Sequence, residues 1–428
     1  MRRGRAGAPY GAVSILLARL SNPWPPRGAG RGTLGVMTVV RFSTAGESHG
    51  PQVTTLLEGI PAGLGLARAD VDRELARRQR GYGRGGRMKI EHDVVRFVGG
   101  VRGGETLGGP IAMVVDNRDH AAWAERMSDE PFASAPEPVL RPRPGHADLA
   151  GSLKYDRRDA RDVLERASAR ETAGRVAAGA VCKVLLAALG ARLGSRVLSI
   201  GEVMAPPEGA TDGEALLEAC AAADESDVRV ADPLLAERMR EAILAASHRG
   251  DTLGGVFELV CVGLPPGLGS HVQWDRKLDG RIAQAIMSIQ AIKGVELGLG
   301  FEAARRPGSL VHDAIGYDER ARAFTRPTNG AGGLEGGMTN GMPLVVRAAM
   351  KPIATLKHAL PSVDLRTKER LPAAFERSDA CAVPAAAVVG EAMLAIVLAG
   401  AFLEKLGGDS LREVRRNLEG YREQLRAF

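Results

Sequence analysis

A short glycine motif, Gly-x-(Ser/Thr)-x-Gly, occurs four times in this chain, at 46–50, 104–108, 250–254 and 337–341. Each copy leads into a β-like run: Gln52–Leu57, Ile111–Val115, Val256–Val262 and Leu344–Arg347. Glycines permit tight or left-handed turns and the hydroxyl bonds nearby backbone, so these are predicted strand-entry turns. Two copies extend further in register. Gly59-Ile60-Pro61-Ala62-Gly63-Leu64-Gly65 matches Gly263-Leu264-Pro265-Pro266-Gly267-Leu268-Gly269 at the same spacing of 204 that relates Gly46 to Gly250. Helical patterns follow both, at Asp70–Arg80 and about Asp275–Ile289, the second with Leu278, Ile282, Ile286 and Ile289 on one face. A further buried helix is predicted over about Ala167–Ala188, and a hairpin from Lys89–Val98 and Ile111–Val115. The expected fold is α/β of the α+β type: one large domain, helices sandwiched between antiparallel sheets, with a pseudo-symmetric internal repeat.

Composition agrees with a fold built on close backbone approach. Glycine is 54 of 428 residues, well above the usual share of about 7%, while aromatics are only 4%. The net charge of +6 suggests nucleic acid until it is localised. Residues 1–36 hold six arginines, no lysine and no acid; with those set aside, the remaining 51 basic residues match the 51 acidic ones. The excess belongs to an Arg/Gly/Pro-rich leader, expected to be disordered and either a mis-assigned start before Met37 or transit-like. The domain is then 37–428, with no nucleic-acid partner expected. Four scattered cysteines without Cys-x-x-Cys offer neither a common zinc module nor a disulfide framework, so no metal and a cytoplasmic setting are expected. Ala385–Leu403 is apolar except for Glu391; it is predicted as a buried core helix, and no membrane partner is expected.

Two familiar motifs fail on context. Gly46-Glu47-Ser48-His49-Gly50 fits the serine-hydrolase elbow, but a strand follows where a helix is required. Gly81–Gly86 fits the dinucleotide fingerprint G-x-G-x-x-G, but there the helix precedes and the strand follows, the reverse of a Rossmann unit.

The loop at 77–89 crowds Arg77, Arg78, Arg80, Arg84 and Arg87 around glycines, either as an anion clamp or as a solvated helix end. Arg141–Asp148 is a shaped Pro/Gly loop with one histidine and two arginines. Many of the charges in 154–172 pair as i,i+4 ions on a solvated face, but Arg166 and Ser168 sit at an expected helix start, where free N–H groups favour phosphate. Asn329–Gly337 is a glycine-rich cradle or turn feeding a strand that ends at Met350-Lys351-Pro352. His49 occupies a turn position that holds Leu, Leu and Asn in the sister copies, so the turn itself does not need an imidazole.

Together with Arg166–Ala173, Met287–Gly294, Lys351-Pro352 and Arg377–Asp379, these segments resemble chorismate synthase across essentially all of 37–428. The resemblance implies a carbon–oxygen lyase acting on phosphates, converting 5-enolpyruvylshikimate 3-phosphate to chorismate by 1,4-trans elimination, with reduced FMN and no net redox change. It implies a homotetramer, and NADPH as one possible reductant beside external ones. By matching motif, His49 protonates the departing phosphate, His146 supports the anionic flavin, and Asp379 helps remove the flavin N5 proton. Arg166, Ala167, Ser168, Gln290, Ala291, Gly336, Lys351, Pro352, Ile353, Ala354, Thr355 and Arg377 match FMN positions, and Arg78 and Arg84 match NADP or substrate positions. Ile353-Ala354-Thr355 has fewer hydroxyls than the family's Thr-Ser-Ser. The reading requires the glycine turns to converge, with both imidazoles and the guanidiniums around one flavin-sized cavity.

Overall fold

The computed structural model describes residues 40–85, 91–205, 212–376 and 379–428. The leader, Arg87, the first residues of the strand expected at Lys89–Val98, and Arg377 lie outside the described residues.

In the first half, β1 (Arg41–Ala45) and β2 (Gln52–Glu58) pair antiparallel around the 46–50 turn. That turn depends on Gly46, at φ +115°, where a Cβ would lie 2.2 Å from the Gln52 carbonyl oxygen. Helix α1 (Arg68–Gln79) follows, begun by Asp70, whose carboxylate accepts from the Ala67 N–H at 3.0 Å. Next come β3 (Val95–Gly99), the small hairpin β4 (Val101–Arg102) and β5 (Glu105–Thr106), and β6 (Ile111–Asp116). Helices α2 (Asp148–Tyr155), α3 (Arg161–Ala167) and α4 (Thr172–Ala188) complete it.

The second half runs β7 (Arg192–Ile200), β8 (Val203–Met204), α5 (Gly213–Asp224), α6 (Pro233–His248), β9 (Gly255–Val262), α7 (Leu278–Met287) and β10 (Ile292–Leu297). Two small hairpins follow in chain order: β11 (Gly316–Asp318) with β12 (Ala323–Thr325), and β13 (Leu334–Glu335) with β14 (Met338–Thr339). After the long strand β15 (Leu344–Met350) come β16 (Pro361–Val363) and β17 (Arg370–Pro372), then α8 (Val383–Leu406) and α9 (Leu411–Ala427).

The two main sheets are antiparallel, ordered β3-β6-β2-β1 and β10-β15-β9-β7, the latter extended by β8. Strands flanking the matched turns thus take corresponding places. The hydrogen bonds recur as well. Thr106 Oγ1 donates to the Pro61 carbonyl and accepts from the Leu64 N–H, and Thr339 Oγ1 does the same with Pro265 and Leu268. The second and fourth glycine motifs are therefore not entry turns alone: their Thr residues lie in β5 and β14, locking the matched loops.

Helix α4 packs on β2 and β6 and against α8, which in turn packs on β7 and β9, so helices lie between the sheets. Small residues make this possible: a Cβ on Gly179 of α4 would fall 2.4 Å from the Ala392 Cα of α8. Burial explains the strand patterns. In β2, Val53, Thr55 and Leu57 are buried and alternate with more exposed residues, as on a one-sided sheet. Strand β9 is buried almost throughout because α5 also covers the second sheet, over Leu216, Cys220, Val260, Val262 and Val345.

Helix α8 is the one helix among the described residues long and apolar enough to cross a membrane, and it is a buried core helix. Its Glu391 is fully buried and accepts from Arg77 through both oxygens at 2.8 Å, from Lys183 at 2.6 Å and from Ser195 at 2.5 Å, with Arg229 at 3.3 Å. The four cysteines are buried free thiols, and burial pushes Cys381 up to about 11 and Cys220 to about 12.

Candidate active site

The 46–50 turn is pinned from three sides. Asn117 Nδ2 donates to the carbonyls of Glu47 and Gly50, and its Oδ1 accepts from Arg170 at 2.6 Å. Ser48 N–H donates to the Glu165 carbonyl, and His49 N–H to the Glu165 carboxylate at 2.9 Å. The same carboxylate takes the His49 Nδ1, at 2.9 and 3.0 Å. Burial opposes the charge on Glu165, but hydrogen bonds from His49 and Arg161 hold its carboxyl below the usual range. The bond to Nδ1 fixes the ring and leaves Nε2 for a ligand.

His146 is held in the same way. Its Nδ1 is 2.5 Å from Asp148 Oδ1, and Arg143 grips that carboxylate through Nε and Nη2. Burial works against ionised Asp148, yet His146 and Arg143 together hold it well below the ordinary value. Both histidines therefore share one device: Nδ1 on a buried carboxylate that an arginine also binds, Arg161 in one case and Arg143 in the other.

Contacts, short stretches of chain and one shared cavity link most of the expected site residues. From Glu165, Arg161 reaches Glu376 at 3.1 Å, three residues before Asp379. Asp379 lies 3.0 Å from Arg84 Nε and accepts from the Gly85 N–H. Arg84, Asp379 and Thr355 line a cavity of about 210 Å³ together with Asp251, Thr252 and Lys357. Thr355 Oγ1 accepts from Arg143, which leads to Asp148 and His146. Lys351 Nζ donates to the Gly145 carbonyl at 2.6 Å, and its N–H to that of Ala291. Gln290 Nε2 donates to Glu171, which accepts from Thr44, and Thr44 Oγ1 accepts from Arg166, the neighbour of Glu165.

Several expectations change in detail. The long helix starts at Thr172, not near Ala167. Ser168 caps a separate 3-10 turn at Ala169–Glu171, and Arg166 lies in the last turn of α3, so neither sits at the long helix's N-terminus. The backbone breaks there because Ser168 is extended and its Oγ accepts from the Arg170 N–H. Arg77 and Arg78 are neither a solvated helix end nor open to an anion: Arg77 binds Glu74, Asp224 and Glu391, while buried Arg78 binds Asp93 and Thr172. Among the described arginines of that loop, only Arg84, which donates to the Arg78 carbonyl, lines the cavity. Neither His49 nor His146 lines this cavity; His146 connects to it through Arg143 and the lining residue Thr355, and His49 through Glu165 and Arg161 to Glu376, whose neighbour Phe375 lines it. Gly336 stands outside this linked set, in the β13–β14 turn. Ala167 follows Arg166 in α3, Pro352 and Ala354 follow Lys351, and the Ile353 carbonyl accepts from Thr252.

Sequence reasoning missed Glu165 and Asp148 as partners of the histidines, and Trp123, which stacks on His49 with ring centroids 4.0 Å apart. The signal was present only for Glu165, four residues from Arg161, but that spacing also describes a solvated ion pair.

Comparison with known proteins completes the assignment. A sequence model of the chorismate synthase family matches residues 40–403. The chain is 56% identical over 395 residues to chorismate synthase of Aquifex aeolicus (strain VF5), covering 91% of this chain and 99% of that one. It is 57% identical over 398 residues to chorismate synthase of Trichlorobacter lovleyi, covering 91% and 100%. A crystal structure of chorismate synthase is similar with a TM-score of 0.75 at 47% identity, over 91% of this chain and 99% of that one. With family-wide matches in sequence and in fold, the chain belongs to the chorismate synthase family, the lyases of the last step of the shikimate pathway to the aromatic amino acids.

Proposed function

We propose that the chain converts 5-enolpyruvylshikimate 3-phosphate to chorismate by 1,4-trans elimination of phosphate, with reduced FMN and no net redox change. The observation that carries this reading is the paired histidine–carboxylate–arginine device, linked to Arg84 and Asp379. Two oriented imidazoles and a set of guanidiniums suit a substrate with one phosphate and two carboxylates.

The residues present fit a flavin mononucleotide. Gln290 Oε1 is shielded from solvent, and no donor among the described residues reaches it. Ala291 beside it is left-handed at φ +66°, which turns the chain toward Lys351. Burial and then Lys293 lower the proton affinity of Lys351, so an anionic group there would favour its charged form. Arg166, Ala167 and Ser168, Gln290 and Ala291, and Lys351 through Thr355 would hold the cofactor, with Gly336 and Arg377 completing the set. Bound reduced flavin supplies electron density as the allylic phosphate departs. His49 delivers a proton to that phosphate from Nε2, while Glu165 keeps the ring aimed. His146, anchored on Asp148, would offer its Nε2 to an anionic cofactor. Asp379 takes up a proton at its carboxylate, and Arg84 binds a substrate anion, with Arg78 supporting its loop from beneath.

The same reading makes the enzyme a cytoplasmic homotetramer, whose assembly would cover exposed apolar side chains such as Phe301, Leu310, Ile315 and Phe324, and treats the two halves as a pseudo-symmetric sandwich on one domain, 37–428. The test is an anaerobic assay with chemically reduced FMN, with and without NADPH, following chorismate absorbance. His49→Ala and His146→Ala each lower turnover by roughly 10²–10⁴ with the fold retained. Near-parental turnover in either variant removes that histidine from the mechanism.

A further inference from the structure

Trp123 stands where a core tryptophan would not. Among the described residues it takes no part in the apolar core. Its neighbours are polar: the His49 imidazole is stacked on it, with ring centroids 4.0 Å apart and planes 24° apart. The Arg161 guanidinium lies over the same ring at 5.0 Å, and that of Arg126 at 5.7 Å. Arg161 also binds Glu165 at 2.9 Å, and Glu165 binds His49 Nδ1. The four groups close on themselves: His49, Trp123, Arg161, Glu165 and back.

The local chain supports this arrangement. A 3-10 turn at Arg118–Ala122 follows Asn117, the residue that pins the 46–50 turn. Within it, His120 Nδ1 donates to the His49 carbonyl at 2.9 Å, and the Trp123 N–H donates to the His120 carbonyl at 2.7 Å. His49 is thus held at its N–H, its carbonyl, its Nδ1 and one ring face. Nδ1 alone permits the ring to swing about that bond; a flat aromatic against its face removes this freedom. Misplacing a reacting group by about 1 Å can cost on the order of 10²-fold in rate.

We propose that Trp123 is a positioning residue for His49, its ring fixing the plane in which Nε2 meets the departing phosphate, with Arg161 bracing both the indole and Glu165. This rests on the assignment of His49 as proton donor. The test is a double-mutant cycle in the anaerobic assay with reduced FMN. Trp123→Leu is expected to lower kcat about tenfold to hundredfold with KM within about twofold, whereas Trp123→Phe, which keeps a flat ring, stays within about threefold of the parent. The combined variant of His49→Ala and Trp123→Leu is expected to be no slower than His49→Ala alone, because a residue acting through His49 has nothing left to position. Near-parental turnover in His49→Ala would overturn the proton-donor reading and this inference with it. With His49→Ala impaired, three results overturn the inference alone: parental kcat in Trp123→Leu, a loss confined to KM, or a multiplicative loss in the combined variant.

Discussion

Neutralising Glu391 gives the sharpest test of how the two halves hold together. Its carboxylate is fully buried in α8 and faces three cations, Arg77, Lys183 and Arg229, which are also shared by Glu74 and Asp224. Three positive charges thus meet three negative ones. Glu391→Gln leaves one buried positive charge in excess. Neither amide orientation relieves it: an NH₂ at one oxygen's place faces Ser195 and two arginines, and at the other faces Arg77 and Lys183. Breaking a buried pair costs about 3–5 kcal/mol. Each stranded cation keeps a second carboxylate, so we expect about 3 kcal/mol. Unfolding entropy of about 2.1 cal/mol/K per residue, over roughly 390 residues, gives about 0.8 kcal/mol/K and a fall in Tm of about 4 °C. The sign with pH follows from the charge. Burial favours the neutral acid, but Lys183, Arg77 and Arg229 overcome it and hold Glu391 well below its ordinary value of 4.5. The stabilisation is therefore complete above that value and is lost as pH falls below it toward the depressed native pKa. Scanning calorimetry at matched rates should show the full gap at pH 7 and a narrower one below pH 4.5. A Tm within 1 °C of the parent at pH 7, or a gap that widens on acidification, would refute the reasoning.

Two further outcomes test the repeat and the helix packing. Thr106→Val and Thr339→Val each orphan one buried N–H and one carbonyl in corresponding loops, so both should cost about 1–3 kcal/mol and lower Tm by about 1–4 °C. A large effect in one loop and none in the other breaks the equivalence. Gly179→Ala gains about 1 kcal/mol of helix propensity but drives a Cβ into Ala392, an overpacking cost of about 1–3 kcal/mol, so net destabilisation by chemical denaturation is expected, and a gain in stability would contradict the packing.

Much of this was legible in the chain because it is written locally. The turns, the spacing between matched loops, the core helix and the strands after each glycine motif are all short-range patterns, and all four strands are present. What was not legible is long-range pairing. Arg77 and Glu391 are 314 residues apart, and nothing around either names the other. Arg78 reads as a helix-end arginine until Asp93 is brought beside it. His49 could be singled out because its sister turns lack an imidazole, but its Glu165 and Trp123 partners depend on where three segments meet. The break at Ser168 was hidden because a single side-chain bond to the Arg170 N–H decides it against a run of good helix formers.

The wall of the 210 Å³ cavity is drawn from both copies: Gly83, Arg84 and Gly85 come from one, Asp251, Thr252, Thr355 and Asp379 from the other. A chain carrying a single copy owns half of that wall and can complete it only by meeting its twin. Within one polypeptide the matched turns can differ, and they do so where His49 in one turn corresponds to Leu253 in the other. On the proposed reading one seat carries the proton donor while its counterpart packs against the core, a division that two identical chains meeting symmetrically would not allow.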